Sequence, residues 1–450
     1  MRNALLIVTA LCLVCVAHAE IRDQLGTVDE DRFIQYAEKY EYQGVPILAG
    51  FVPNKTDYVA GEPIFLTFVV KNVGDKPVEC PTYGSSQKLS ICYSIKAWNE
   101  KGQPVDQPKG GGGSGVGSGV TLKPQEAYAD AILLSNQLAP LKPGKYTLEC
   151  RRYMERQSRP FPKVITRLSL VVGKTDSQVI GDAITRLGKL IRAEPPKDEA
   201  SAQQILVIAS QALSSIEDSR TVPYLLESLR CGGPWNWPYA IEGLAKYPSP
   251  GLVGVFEELL TCPEYSDVRS EAISALGSFK CPEAVELLVG LLDEAETWIK
   301  RYIVISLGKM EDRSVIPRLQ ALRDDKDPVL AVYAIQALEG LGEVPELSWY
   351  EPILASGNQG AAGDAVRSIA KRFGKEVLPY LAGKLNLHDP GKHNLLNYTL
   401  VREIARTSGE QFEYLFDFQN DGTAEERAQN EATMKAIQVR WPPNMSGPER

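Results

Sequence analysis

The chain has 450 residues, of which 44% are apolar and 24% charged, and a formal charge of −8. This composition excludes a disordered, collagen-like or disulfide-dense small protein and is enough for about three domains of ~150 residues. The acidic balance argues against a nucleic-acid binder, and three histidines, His18, His388 and His393, leave little for His-based catalysis or a multi-His metal site.

Residues 1–19 read as a secretory signal peptide. Arg2 supplies a short positive region, residues 5–16 an apolar stretch too short to span a bilayer comfortably, and Ala17-His18-Ala19 a small-residue cleavage site. The mature chain is expected to start at Glu20 and to be secreted or periplasmic. Losing Arg2 takes its charge to −9. No later run of 18 apolar residues follows, so no membrane insertion is expected after cleavage. Six cysteines remain: Cys80, Cys92, Cys150, Cys231, Cys262 and Cys281. An oxidising compartment favours a Cys80–Cys92 pair, and the other cysteines suit small buried positions.

Residues 20–44 form a charged and aromatic leader, with a short helix expected over 29–42. Residues 45–173 read as β-structure. Strands are expected at 64–70, 89–98, 127–134, 146–152 and 164–172, separated by Asn, Gly and Pro turns. Short strands at such spacing predict a sandwich. Leu141-Lys-Pro-Gly-Lys-Tyr146 has the form of a tyrosine corner, in which the phenol bonds back to the loop. The glycine-rich run 110–119 leads toward a strand and lacks the Gly-Lys-Ser/Thr of a phosphate cradle, so a hairpin loop is expected. This region carries 16 Lys and Arg against 10 Asp and Glu, a net of +6. Arg151, Arg152, Arg156, Arg159, Lys163 and Arg167 concentrate that charge. They read as a solvated strand face, or as one that steers an acidic partner.

Residues 174–199 are expected to form a helical linker. Beyond it the text repeats itself. Leu213, Leu244, Leu276, Leu307, Leu338 and Ile369 are spaced by 31 or 32 residues, and a weaker unit ends near Ile404. Small residues Ala209, Ala240, Ala272, Ala334 and Ala365 sit four before an anchor. A 31-residue unit of two helices cannot bury its own apolar face, so stacked units are expected, forming an α-solenoid over 200–410. Residues 411–450 would cap it, with an amphipathic helix over 425–441.

Ala272…Ala275-Leu276-Gly277 carries the marker of a short bacterial repeat. The array resembles the HEAT repeat in its PBS-lyase HEAT-like form. That likeness implies a binding scaffold and does not imply lyase activity. Residues 45–173 resemble the Ig-like sandwiches of exported bacterial proteins. Through Asn72…Pro77-Val78 and Leu141-x-Pro143-Gly144 they also resemble the BsuPI proteinase inhibitors, from which no inhibitory residue carries over. The expected fold class is therefore a multidomain all-β plus all-α chain, an N-terminal Ig-like β-sandwich followed by a HEAT-type α-solenoid.

Chemistry-bearing motifs have plain structural explanations. Asp417-Phe-Gln-Asn-Asp-Gly422 places Gln419 and Ala428 where a Ca²⁺ loop needs ligating side chains, so a polar turn before a helix is expected. Ser306-Leu-Gly-Lys309 matches S-x-x-K on a repeat helix. His388 and His393 flank Asp389 in what reads as an exposed connection. Cys231 and Cys262, one repeat apart, are expected as free thiols, because stacked helices lie ~8–10 Å apart and a disulfide wants Cα atoms within about 7 Å. No metal or cofactor is expected.

A binding surface is the more promising reading. Trp235 and Trp298 sit nine residues before their anchors, and Arg269 and Lys300 seven before theirs. With Trp237 and Arg301 close by, these six residues are expected to line a groove for an acidic or extended protein partner. The same Trp positions would also suit rings that seal helix starts against neighbouring repeats. The expected function is exported, non-enzymatic protein binding or scaffolding through the solenoid surface. The alternative is a proteinase inhibitor acting through the sandwich loops, 110–119 included.

Overall fold

The computed structural model describes residues 30–83, 93–107, 117–153, 163–193, 199–391, 394–417 and 419–443. The signal peptide, Cys92, residues 110–116, Arg156, Arg159, His393 and Phe418 lie outside them. Two compact units are present, Met1–Tyr247 and Pro248–Arg450.

The first unit opens with helix α1 (Glu30–Tyr36) and strands β1 (Glu38–Tyr42) and β2 (Val45–Pro53). The single helix expected over 29–42 therefore stops at Tyr36. The reason is a change of period. Tyr40 and Tyr42 alternate with Lys39 and Glu41, and Tyr42 is buried, as in a strand with one face covered. Gln43 and Gly44 both have positive φ (52° and 71°), the two-residue turn whose twist suits a hairpin. Helix α1 covers part of the outer sheet face. Phe33 packs with Val52, Val69 and Ala129, and Arg32 donates to the carbonyls of Asn54 (2.6 Å) and Pro53 (2.7 Å).

Strands β3 (Asp57–Val59), β4 (Phe65–Asn72), β5 (Val78–Tyr83), β6 (Tyr93–Asn99), β7 (Gly117–Leu122), β8 (Ala127–Leu133), β9 (Gly144–Tyr153) and β10 (Lys163–Gly173) complete the sandwich. The sheets run β1-β2-β4-β8 and β3-β10-β9-β6, with β5-β7 as a two-stranded pair. Strand β10 shows why they pack. Val164, Thr166, Leu168, Leu170 and Val172 are buried and the residues between them are not. Phe51 and Phe68 pair across β2 and β4 with ring centroids 5.2 Å apart, and both meet Tyr93 at 6.0 Å. The hydrogen bond expected of the tyrosine corner is present, from Tyr146 Oη to the Lys142 carbonyl at 2.8 Å. Asn72, one of the residues behind the inhibitor likeness, is fully buried as a clamp, donating to the Lys76 and Leu122 carbonyls at 2.8 and 2.9 Å.

The basic run does not form one surface. Period two along β9 turns Arg152 inward, 1% exposed, with its guanidinium 4.3 Å from the Tyr93 ring centroid and 5.5 Å from that of Phe68. Tyr93 donates to Asp130 at 2.6 Å. Burial raises the Asp130 pKa above its usual range, against the pull of Tyr93 and Arg152. Outside, Arg151 and Arg167 both pair with Glu149.

Residues 174–199, read as a linker, hold helix α2 (Ser177–Arg192), whose Ile180, Ile184, Leu187 and Ile191 are buried. It packs on α3 (Glu199–Ser215) and α4 (Val222–Cys231), and α4 pairs with α5 (Trp237–Leu244). Helix α2 is thus the first helix of a pair. Its pair lacks the Ala-Leu-Gly text, whereas its apolar spacing is that of its neighbours.

The second unit continues as pairs: α6 (Pro250–Thr261) with α7 (Arg269–Leu276), α8 (Pro282–Glu294) with α9 (Thr297–Lys309), α10 (Ile316–Arg323) with α11 (Pro328–Gly340), α12 (Leu347–Leu354) with α13 (Gln359–Phe373), and α14 (Leu378–Gly383) with α15 (Leu395–Ser408). Prolines at the first positions of α6, α8, α10, α11 and α14 restart the chain after each loop. Second helices stack on second helices, α7 on α9, α9 on α11, α11 on α13 and α13 on α15. Every repeat anchor from Leu213 to Ile404 is 0% exposed, as are the five alanines four residues earlier. Residues i and i+4 share a helix face, and alanine there lets backbones approach. The glycine after the anchor has the same cause. A Cβ on Gly277 would stand 2.8 Å from the Ser306 Cβ, and one on Gly308 2.6 Å from the Ala337 Cα. Helix α16 (Ala424–Arg440) follows, with Met434 and Ile437 buried in the last core cluster and a capping box at Thr423 and Glu426. The fold class is the expected one, an N-terminal β-sandwich followed by HEAT-type helical repeats.

Candidate functional site

Helix α9 shows which residues its neighbours leave free. Ile299, Ile303, Val304, Ser306 and Leu307 are buried. At about 100° per residue, Trp298, Tyr302, Ile305 and Lys309 fall within about 60° of arc on the opposite side. Trp298 is 46% exposed. Its ring meets Tyr302 edge-on at 6.5 Å, and its Nε1 donates to Glu296 Oε2 at 2.6 Å. Arg301 lies 4.8 Å from the Tyr302 ring centroid and donates to its hydroxyl at 3.1 Å. The three side chains form a compact aromatic and cationic cluster open to solvent.

The same face continues on the neighbouring second helices, counted from their anchors. Helix α7 presents Glu271 and Ser274, and Ser278 follows in the turn after it, all exposed. Helix α11 presents Tyr333 and Gln336, half-buried, with Gln336 donating to Ser368 Oγ at 2.9 Å. Helix α13 presents Asp364, half-buried and paired with Arg367, together with the exposed Arg367 and Lys371, and α15 presents Arg402 and Arg406, both exposed, Arg406 being paired with Glu403. The face thus runs from acidic through aromatic to basic.

The four expected residues that lie in the second unit, Arg269, Trp298, Lys300 and Arg301, do not form one stripe. Trp298 and Arg301 share the cluster just described. Lys300 leaves the same helix about 160° from Trp298, on a half-buried flank, and Arg269 holds the equivalent place on α7 with its Nε buried and unbonded among the described residues. In the first unit, Trp235 is 54% exposed on the loop before α5. Trp237 is the correction: it is 3% exposed, and its Nε1 donates to the Leu229 carbonyl at 3.0 Å. It seals the start of α5 against α4, so no partner reaches it. Asn236 locks this corner by donating to Ser228 Oγ and its carbonyl. Tyr302 and Tyr333 were missed. Their signal was the spacing of Trp298, Tyr302, Ile305 and Lys309, which marks one helix face, whereas comparing offsets of nine and seven residues mixes two.

Other candidates resolve into structure. Ser306 is buried and donates to the Ile273 carbonyl at 2.9 Å, which holds α9 on α7. The Asp417 turn caps itself through Gln419 N and Gly422 N, as a turn before a helix should. Asn397, in a glycosylation sequon, is 1% exposed and donates to the carbonyls of Asn386 and Asp389. His388 is exposed. Among the described residues, no group of three His, Cys, Asp or Glu side chains could hold a metal ion, and no helix is long and apolar enough to cross a membrane.

No curated protein matches the chain. Solved structures align with it, among them these two. One is the complex of CpcE and CpcF of phycocyanin lyase from Nostoc, at 15% identity and TM-score 0.27 over 42% of this chain and 76% of that one. The other is a mutant of Salmonella alpha-2-macroglobulin, at 11% identity and TM-score 0.18 over 87% of this chain and 27% of that one. At these scores neither bears on function. Residues 254–339, which include α7, α9 and most of α11, match the family of HEAT repeats.

Proposed function

We propose that this protein is an exported, non-enzymatic binding protein whose second-helix face holds a protein partner. HEAT repeats commonly serve as protein-interaction surfaces, and the matched segment carries the observation that matters. Trp298 stands half-exposed beside Tyr302 and Arg301 on a face its own neighbours leave uncovered. Trp, Tyr and Arg, here an exposed Trp and a half-buried Arg on either side of one Tyr ring, are the residue types that dominate binding energy at interfaces. The buried, bonded hydroxyl of Ser306 supports a scaffold over a catalyst, and Ala17-His18-Ala19 supports export.

The test is capture from the exported fraction of the producing cell. One bait is the chain from Glu20 onward, and the other has Trp298, Arg301 and Tyr302 changed to Ala. A protein retained by the first and lost by the second is expected. Equal retention by both would remove this face from the reading. The amino terminus of the exported protein should be Glu20; an uncleaved chain in the membrane fraction would count against export.

A further inference from the structure

We infer that the second-helix face of the Pro248–Arg450 unit takes an acidic, extended peptide segment, a reading that rests on the scaffold function above and names the chemistry of its partner. The unit as a whole is acidic, with 21 Lys and Arg against 31 Asp and Glu. Away from this face many of its cations are already neutralised. Lys280 pairs with Glu311, Arg313 with Glu343, Arg318 with Asp293, and Lys384 with Glu351. On the face, Arg367 pairs with Asp364 and Arg406 with Glu403, whereas Lys309, Lys371 and Arg402 meet no carboxylate among the described residues, and Arg301 meets only the Tyr302 ring and hydroxyl. Lys309 and Lys371 hold repeat-equivalent places, two residues past their anchors, and Arg402 lies on the same face one helix on; with the half-exposed Trp298 ring at one side, they are complementary to carboxylates spaced along a chain with an apolar anchor at one end.

Spacing sets the length. Lys309 and Lys371 lie two stacked helices apart, roughly 20 Å at 8–10 Å per helix. An extended peptide covers that in about six residues. Arg402 is one helix further, about three residues on. A peptide with two or three acidic residues in this register can meet all three cations, and about five further residues before the first of them span the roughly 10–16 Å along α9 that bring an aromatic or aliphatic side chain onto Tyr302 and Trp298. A nucleic acid is disfavoured by the same arithmetic. It carries a charge at every phosphate, and a unit with a net charge of −10 repels the phosphates that these few cations leave unmet.

The experiment is selection of binders to the purified full chain from a phage-displayed library of random 14-residue peptides. Selected peptides are then made with a fluorescent label and titrated by anisotropy. Three proteins are compared: the parent, a variant with Lys309→Glu, Lys371→Glu and Arg402→Glu, and a control with Lys326→Glu and Lys375→Glu, both exposed and off the face. The expected result is enrichment of Asp or Glu about three or six residues apart, at least about a tenfold loss of affinity in the first variant at low salt, and none in the control. Selection without acidic enrichment, equal loss in both variants, no loss in either, or no selected peptide would overturn the inference. So would a random 20-nucleotide single strand that displaces the peptides and binds more tightly. The capture experiment separates the two readings. A partner lost from the Ala bait but retained by the charge-reversed chain would keep the scaffold and discard the acidic peptide. Acidic peptides bound in the expected register with no protein captured would do the opposite.

Discussion

Trp237 and Trp298 place the same side chain in opposite surroundings, and the difference decides what each can do. Trp237 fills the corner between α4 and α5 and bonds the Leu229 carbonyl. Replacing it with Ala should cost about 3–5 kcal/mol, the usual loss for an aromatic removed from a core. Trp298 touches mainly Tyr302 and Glu296, and its replacement should change stability by about 0.5 kcal/mol or less. Urea melts of the two variants check this, and a Trp298→Ala protein as weak as Trp237→Ala would mean that Trp298 is a core residue and not an anchor. Sequence could not separate them, because both rings come shortly before an anchor and only the position within the turn differs. Arg152 shows the same limit inside the sandwich. In a run of six cations it reads as surface, yet period two along β9 delivers it to the interior, where Tyr93 and Phe68 lie against it.

At the scale of the element, a repeat is held by parts its sequence displays and by parts it hides. The displayed ones are the anchor, the alanine four before it and the glycine after it, because close stacking tolerates little else there. A hidden one follows three of the second helices, α7, α9 and α11. Lys280, Glu311 and Gly342 each lie four residues past an anchor and all have positive φ (49°, 62° and 87°). The turn requires the left-handed region, and only the third copy has the residue suited to it. Gly342→Ala should therefore cost about 1–2 kcal/mol, read from a chemical melt, and no loss would show that the loop relaxes around the new Cβ. A second hidden part is the Glu351 carboxylate, which accepts from Tyr380 at 2.6 Å and Lys384 at 2.7 Å. Burial pushes its pKa up, but Lys384 and Tyr380 outweigh that and hold it below the ordinary value. A depressed pKa adds stability that is complete above the unfolded value, about 4.3, and vanishes as pH falls through the folded one. The melting temperatures of the parent and Glu351→Gln should thus differ at pH 7 and converge below pH 4. A constant gap across that range would mean that the carboxylate's charge adds nothing.

For the whole molecule, the division into a β-rich part and a repeat array was legible, since alternation and a 31-residue period are long signals that single exceptions do not erase. Thiol chemistry was less so. The proposed export favours a Cys80–Cys92 bridge; Cys92 lies outside the described residues, Cys80 is a buried free thiol, as is Cys150, and Cys231, Cys262 and Cys281 are also free. Burial pushes Cys80 up to about 11 despite the nearby Arg152, and Cys150 higher still. A thiol so raised has little thiolate at neutral pH, and the thiolate is the species that oxidises and reacts. Burial would thus let both persist in an oxidising compartment, so free cysteines are compatible with the proposed export. Native alkylation at pH 8 should label Cys231, Cys262 and Cys281 and spare Cys80 and Cys150 until the protein is unfolded, as read by peptide mass mapping. Reductant should leave the melting temperature where it is. A drop on reduction, together with a Cys80-containing disulfide in the unreduced map, would show instead that the sandwich relies on a covalent staple and that its core residues alone do not account for its stability.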